Sequence, residues 1–145
     1  AIQQWNLRTF ESLEEAGAWI AQWEGRWRAE RDGCWAVTGD TGVVLGRVAL
    51  RDIHLADGRG QITYWVLPAA RGQGVATRAT AEVARWGLDE LGLHRLELLH
   101  STVNPSSCRV AAKAGFALEG TLRSATRHPD GWHDMHLHAR VAGDP

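Results

Sequence analysis

Between Gln61 and Gly92 the apolar pattern changes period once, and that change constrains the fold more than any other feature of the chain. QITYWVL reads as a β-strand and is stopped by Pro68. Beyond it Val75, Ala79, Val83, Trp86 or Gly87, and Leu91 recur at the roughly 3.6-residue spacing of one helix face, with Gly92 placed to cap the C-terminus. Strand, loop and helix in that order bring the chain back to the end of the sheet from which it started. The following run, HRLELLHSTV, is therefore expected to lie parallel to the first strand.

The flanking segments carry their own punctuation. SLEEAGAWIAQW opens with Ser12 and Glu15, the spacing of a capping box, and predicts a helix to about Glu30 with Trp19, Trp23, Trp27 and Ile20 on its apolar face. CWAV and VVLGRVAL, joined by TGDTG, predict an antiparallel hairpin. In NPSSCRVAAKAG, Asn104 is an N-cap, Pro105 the first helical residue and Gly115 the stop. FALEGTLR and WHDMHLHAR, separated by HPDG, close the chain as two strands. The result is a mixed α/β sheet with antiparallel ends and one strand-helix-strand unit inside, expected as a single domain over residues 1–145 because 145 residues with 44% hydrophobic content fill one core.

A net charge of -1 offers no global attraction to nucleic acid or to an anionic membrane, and no apolar run reaches the roughly 20 residues of a membrane span. A cytoplasmic location is the expectation. Cys34 and Cys108 are far apart and are read as free thiols.

The loop ARGQGVAT lies between strand and helix, where backbone N–H groups and the helix dipole converge, so a phosphate is its natural ligand. A nucleoside triphosphate loop needs Gly-Lys-Ser/Thr, which is absent. A dinucleotide fingerprint needs a third glycine where Thr77 stands, and a loop whose glycines merely permit a turn stays open.

Taken whole, Arg71-x-x-Gly74-x-Ala76 directly after YWVLP resembles the acetyl-coenzyme A pyrophosphate loop of the GNAT N-acetyltransferases. NPSSCRVAAKAGF, EGTLR and DGWHDMHLHAR extend the likeness to the branch typified by the RimJ and RimL ribosomal-protein acetyltransferases. The resemblance implies a GNAT fold with a splayed parallel strand pair and acetyl-coenzyme A as co-substrate. It implies that main-chain amides of Arg71, Gly72, Gln73, Gly74, Val75 and Ala76 hold the pyrophosphate, while Val66 and Leu67 grip the pantetheine arm through their backbones and Asn104 touches it from the other side. The family's first strand is not evident before Ser12, so the opening residues are expected to be incomplete.

The resemblance also implies Ser107 as proton donor to the departing sulfur, since it matches the serine of the branch's Asn-x-x-Ser. The third strand of many relatives begins with glutamate; Gln61 stands there and cannot accept a proton. His100, on the next strand, is the candidate base because an imidazole accepts protons near neutral pH. Asp52 and His54 are weaker candidates. By strand alternation Asp134, His136 and His138 share one face, but two-residue spacing on one strand does not enclose a tetrahedral ion without distant partners, and no metal is expected. The resemblance implies an amine acceptor, either a protein N-terminus or a small molecule; Glu11, Glu14 and Glu15 fit an acidic rim for a basic substrate. A homodimer is left open. The competing function is a non-catalytic acyl-coenzyme A binding or sensing module, kept alive by Gln61.

Overall fold

The computed structural model describes residues 9–145. The missing first strand is an expectation about the stretch before Ser12, most of which lies outside the described residues. The first helix, α1 (Leu13–Arg28), begins as its capping residues require: Ser12 Oγ accepts from the Glu15 amide at 3.1 Å. The Glu15 carboxylate reaches back to the Glu11 amide at 2.9 Å, one residue earlier than a standard box. The helix stops two residues short of the predicted Glu30, which turns left-handed at φ 57°.

Six strands follow: β1 (Gly33–Thr38), β2 (Val44–His54), β3 (Arg59–Val66), β4 (Arg95–Ser101), β5 (Ala117–His128) and β6 (Gly131–Val141). They form one sheet in the order β1-β2-β3-β4-β6-β5, antiparallel except between β3 and β4. Helix α2 (Val75–Arg85) makes the crossover from β3 to β4, and α3 (Pro105–Lys113) leads from β4 to β5. The expected parallel pair is thus present. The helical pattern predicted to Leu91 ends instead in a π-helical turn over Trp86–Glu90, which seats Gly87 against Leu96 and Leu50. β5 runs past the predicted Arg123, with a bulge marked by Ser124 at φ 46°.

Alternation sorts each strand into a face under the helices and a face away from them. Val48 and Leu50 of β2, Ile62 of β3, and Leu96 and Leu98 of β4 point to the helix side, where Val83 and Ala84 of α2, Ala111 of α3, Leu93, Ala114 and Phe116 complete the core. The first helix contributes no buried residue. It is held at the sheet edge by aromatic contacts: Trp27 stacks on Trp86 at 6.0 Å and meets Trp35 edge-on at 5.9 Å. Ile20 does not extend this face, being 63% exposed. Among the described residues no helix is long and apolar enough to cross a membrane, and Cys34 and Cys108 are free.

Leu96 is fully buried at the junction of α2 and the central strands. Leu96→Ala is expected to cost about 2–5 kcal/mol of unfolding free energy, and Ile20→Ala to stay within about 0.5 kcal/mol of the parent, both measured by urea denaturation.

Candidate active site

The parallel pairing of β3 with β4 lasts three residues, Arg59↔Arg95, Gly60↔Leu96 and Gln61↔Glu97, and then the strands part. β3 keeps its register with β2 as far as Val66, and β4 keeps its register with β6 as far as Ser101. A gap therefore opens between two strands that are each supported on their outer side. The Leu67 amide donates to the Leu45 carbonyl oxygen at 2.8 Å, so the alternation of the strand turns the Val66 N–H and C=O the other way, toward the gap. Val66 has the free backbone edge that an extended arm needs. Leu67 does not: its amide is committed to β2, its carbonyl accepts from Ala70 at 2.9 Å, and it does not line the cavity.

Beyond a short 3₁₀ turn at Pro68–Ala70 the loop enters α2 through Gly72 and Gly74, both left-handed at φ 74° and 73°. The loop is tied by Gln73 Nε2 to the Ala69 carbonyl oxygen at 3.2 Å and by Arg78 Nη1 to the Gln73 carbonyl oxygen at 2.9 Å. The first backbone bond of α2 runs from Arg78 N to Gly74 O, leaving the amides from Gly72 to Thr77 without helical partners, whereas the Arg71 amide, expected among them, donates to the Pro68 carbonyl oxygen at 3.3 Å. A Cβ on Gly72 would meet nothing within 4 Å, so the glycine is set by backbone conformation and by the open cradle beside it. Free amides, a helix N-terminus and an open cradle fit a pyrophosphate.

The gap and the loop belong to one cavity of about 970 Å³. Val66, Arg71, Gly72, Gly74, Val75, Ala76, Asn104 and Ser107 all line it; Gln73, whose side chain braces the loop, does not. Asn104 caps α3, its Oδ1 accepting from the Ser107 amide at 3.3 Å while its Nδ2 donates to Ser107 Oγ at 3.1 Å. The Tyr64 hydroxyl, on the other side of the gap, also donates to Ser107 Oγ, at 2.9 Å. Two donors satisfy that oxygen, so the Ser107 hydroxyl hydrogen is left for a further acceptor. Burial pushes the Tyr64 phenol above its ordinary pKa, with the Ser107 bond opposing, so Tyr64 is a protonated donor at neutral pH.

His100 is placed elsewhere. It is 6% exposed and does not line the cavity. Its Nδ1 lies 2.8 Å from the Ser101 carbonyl oxygen and its Nε2 lies 3.0 Å from His138 Nε2, and burial pushes it below the ordinary imidazole pKa. This geometry does not bring His100 to an incoming amine. The signal was in the sequence: His100 has the parity of Leu96 and Leu98, which point into the core. Gln61 and the weaker candidates Asp52 and His54 do not line the cavity either. Asp134 accepts from the Ser124 amide at 2.7 Å in the β5 bulge and takes no part with the histidines.

On the face opposite the core the cavity is walled by Trp19 and Trp23 of α1 and floored by Arg47 and Arg51 of β2 and Thr63 and Trp65 of β3. Arg47 lies with its guanidinium carbon 5.7 Å from the Trp19 ring centre and 5.9 Å from that of Trp23. Arg26 also lines this part and is 3.3 Å from Asp32. No Asp or Glu lines the cavity among the described residues, so Glu11, Glu14 and Glu15 form no acidic rim to it. Sequence reasoning passed over Tyr64, Arg47 and Arg51. The run RVALR does hold their signal, since Arg47 and Arg51 share a face opposite Val48 and Leu50.

A strand pair that parts beside a glycine-cradled helix N-terminus defines a class of coenzyme-binding acyltransferase folds, and comparison with known proteins gives the family. Residues 1–117 match the family model described as Acetyltransferase (GNAT) domain, and the chain belongs to that family. It is 28% identical over 120 residues to the uncharacterized N-acetyltransferase YoaA of Bacillus subtilis (strain 168), covering 82% of this chain and 68% of that one. It is 29% identical over 98 residues to the ribosomal-protein-serine acetyltransferase of Escherichia coli (strain K12), covering 68% of this chain and 55%, about half, of that relative. The fold superposes with a TM-score of 0.86, at 17% identity and over 99% of this chain and 83% of the other, on the spermidine N-acetyltransferase of Vibrio cholerae solved with CoA and spermine.

Gly72→Val forces a branched side chain into a left-handed conformation at the cradle, at a cost of about 1–2 kcal/mol or more. Affinity for coenzyme A is expected to fall about tenfold or further by calorimetric titration, with unfolding still cooperative; an unchanged affinity would remove the loop from the coenzyme site.

Proposed function

We propose that the chain is an acetyl-coenzyme A dependent N-acetyltransferase whose acceptor is an amine carrying a nearby carboxylate, such as an amino acid or the N-terminus of an acidic peptide. The observation that carries the acceptor is the charge of the cavity: Arg26, Arg47, Arg51, Arg71, Arg109 and Lys113 line it and no carboxylate does among the described residues. Arg71 lies on the pyrophosphate loop, and Arg109 and Lys113 are on α3, where coenzyme phosphates would lie. Arg47 and Arg51 lie on the α1 side and have no carboxylate within ion-pair distance among the described residues. A polycation entering there would meet like charge, whereas a carboxylate would gain charge-assisted hydrogen bonds. Among the relatives' printed acceptors, spermidine is a polycation, and the like charge of the cavity speaks against it here.

When bound, the thioester supplies an activated acetyl carbon. The residues do the rest: Val66 and the loop hold the arm, Trp65 and the arginines orient the acceptor, and Ser107 passes its proton to the sulfur as its bond to the acetyl carbon breaks and the carbon–nitrogen bond forms, taking a replacement from the Tyr64 phenol, which water reprotonates. The Tyr64 phenol and Asn104 amide keep the Ser107 hydrogen directed away from themselves. The amine enters neutral and its surplus proton passes to water, since neither a carboxylate nor a histidine lines the cavity among the described residues.

Rates of thiol release from acetyl-coenzyme A, measured over amino acids, acidic N-terminal peptides, spermidine and an aminoglycoside, are expected to favour the acidic amines by tenfold or more in kcat/KM. Arg51→Ala should raise KM for an acidic amine by about ten- to a hundredfold, the loss of a hydrogen bond to a charged group, and leave a neutral amine nearly unaffected. A preference for spermidine would overturn the acceptor reading. Coenzyme binding with no turnover on any amine would instead favour the non-catalytic binding module.

Ser107→Ala is expected to lower kcat by about ten- to a hundredfold, at the low end of general-acid contributions because a thiolate leaves readily. KM for acetyl-coenzyme A should change little. A kcat equal to the parent's would remove Ser107 from the chemistry.

A further inference from the structure

Three histidines and a cysteine, drawn from three elements, meet beneath α3. His100 of β4 and His136 of β6 are directly opposite in the antiparallel register, and His138 follows two residues along the same face, opposite Leu98. Cys108 comes down onto them from the first turns of α3. One ligand atom from each of the four lies within 4.8 Å of all the others.

The hydrogen bonds orient the rings. A carbonyl oxygen only accepts, so His100 Nδ1, 2.8 Å from Ser101 O, carries the hydrogen and Nε2 presents its lone pair. That lone pair faces His138 Nε2 at 3.0 Å. His136 Nδ1 is buried and has no hydrogen-bond partner among the described residues. An imidazole fixed through one nitrogen by a backbone carbonyl, with the other nitrogen turned into a cluster of donors, is the arrangement found around metal-bound histidine.

We propose that His100, His136, His138 and Cys108 bind one zinc-class divalent ion in a closed tetrahedral site. Three imidazoles and a thiolate are a donor set suited to Zn²⁺, with Co²⁺ as a spectroscopic substitute. Bond lengths of about 2.0–2.1 Å to nitrogen and about 2.3 Å to sulfur make the edges of such a tetrahedron roughly 3.3–3.7 Å. With the four atoms within 4.8 Å of one another and the closest pair at 3.0 Å, side-chain shifts of roughly 1 Å or less bring them to those separations. The two-residue spacing of His136 and His138 cannot enclose an ion by itself; the fold supplies the distant partners, His100 and Cys108. Binding deprotonates the Cys108 thiol and releases one proton to solvent. With all four positions taken by protein the ion is structural, and it fastens the turn of α3 that carries Asn104 and Ser107 to β4 and β6. The inference is independent of the acceptor reading, because none of these four residues lines the cavity.

The test is titration of the full chain, free of any affinity tag, reduced and stripped by chelator, with Co²⁺. One equivalent per chain is expected, with the intense visible bands of tetrahedral cobalt and a thiolate-to-cobalt charge-transfer band in the near ultraviolet, all displaced by Zn²⁺. Zn²⁺ should also raise the thermal midpoint above that in chelator. Cys108→Ser should abolish the charge-transfer band and weaken Zn²⁺ binding at least tenfold, and His136→Ala should weaken it similarly, with each variant's midpoint in chelator compared with the parent's to separate lost binding from damaged folding. Substoichiometric uptake, an octahedral spectrum, or a charge-transfer band that survives Cys108→Ser would each overturn the site. If the variants fail to fold, the cobalt titration of the parent decides alone.

Discussion

Everything at the candidate site depends on β3 and β4 losing each other after Gln61 and Glu97. A parted pair inside a sheet ordinarily leaves backbone donors and acceptors without partners, which is costly when they are buried. Here each strand is secured from its far side, β3 by β2 and β4 by β6, so the sheet persists while its centre opens. The opening gives Val66 a free edge, and α2 and α3 both start at it, which turns the unpaired amides of α2 and the positive ends of two helix dipoles toward the same space. The Tyr64–Ser107 bond at 2.9 Å spans the gap and fixes its width at the point where chemistry is proposed.

One close approach sets the angle at which β3 leaves. Gly46 is paired with Val66, and a Cβ there would run into the Trp65 carbonyl oxygen and crowd the Val66 Cα. Only glycine lets β2 follow the end of β3 this closely. The backbone that leaves β4 is thus the backbone that β2 retains, and a residue outside the cavity controls its shape.

The elements were readable because each has local causes: the caps at Ser12 and Asn104, the proline stop at 68, the left-handed glycines at 72, 74, 92 and 115. The loop proposed to hold the coenzyme is readable for the same reason, being built from backbone within one continuous segment. Catalytic and acceptor groups were harder, since they depend on which face of a strand meets which space. The chemistry of an imidazole favours His100, but its parity with Leu96 and Leu98 sends it into the core. Ile20 has the spacing of the tryptophan face, but the helix only leans on the sheet edge and leaves it exposed. Arg47 and Arg51, spaced four apart on a strand, read as ordinary surface charge until the fold put Trp65 and Thr63 beside them. The meeting of Cys108 with His100, His136 and His138 could not be read at all without the register of β4 on β6.

Net charge says nothing of the cavity for a related reason. The chain totals -1, yet its acids are spent elsewhere: Glu82 and Glu90 on Arg85, Glu97 and Glu119 on Arg95, Glu24 on Arg28. Those pairs are local and screened beyond about 10 Å, so they do not neutralise Arg47 and Arg51. Arg47 carries a second duty, because its guanidinium lies over both Trp19 and Trp23 and so holds the wall formed by α1, a helix with no buried residue of its own. Such contacts are worth about 0.5–1 kcal/mol each at exposed sites, a large share of what fastens a helix that docks by its edge. Truncating Arg47 would loosen the wall as well as remove the charge. Lysine there would keep the charge and lose the flat guanidinium face. The difference between those two replacements, and not the effect of either alone, separates attraction for the acceptor from the shape of the chamber that receives it.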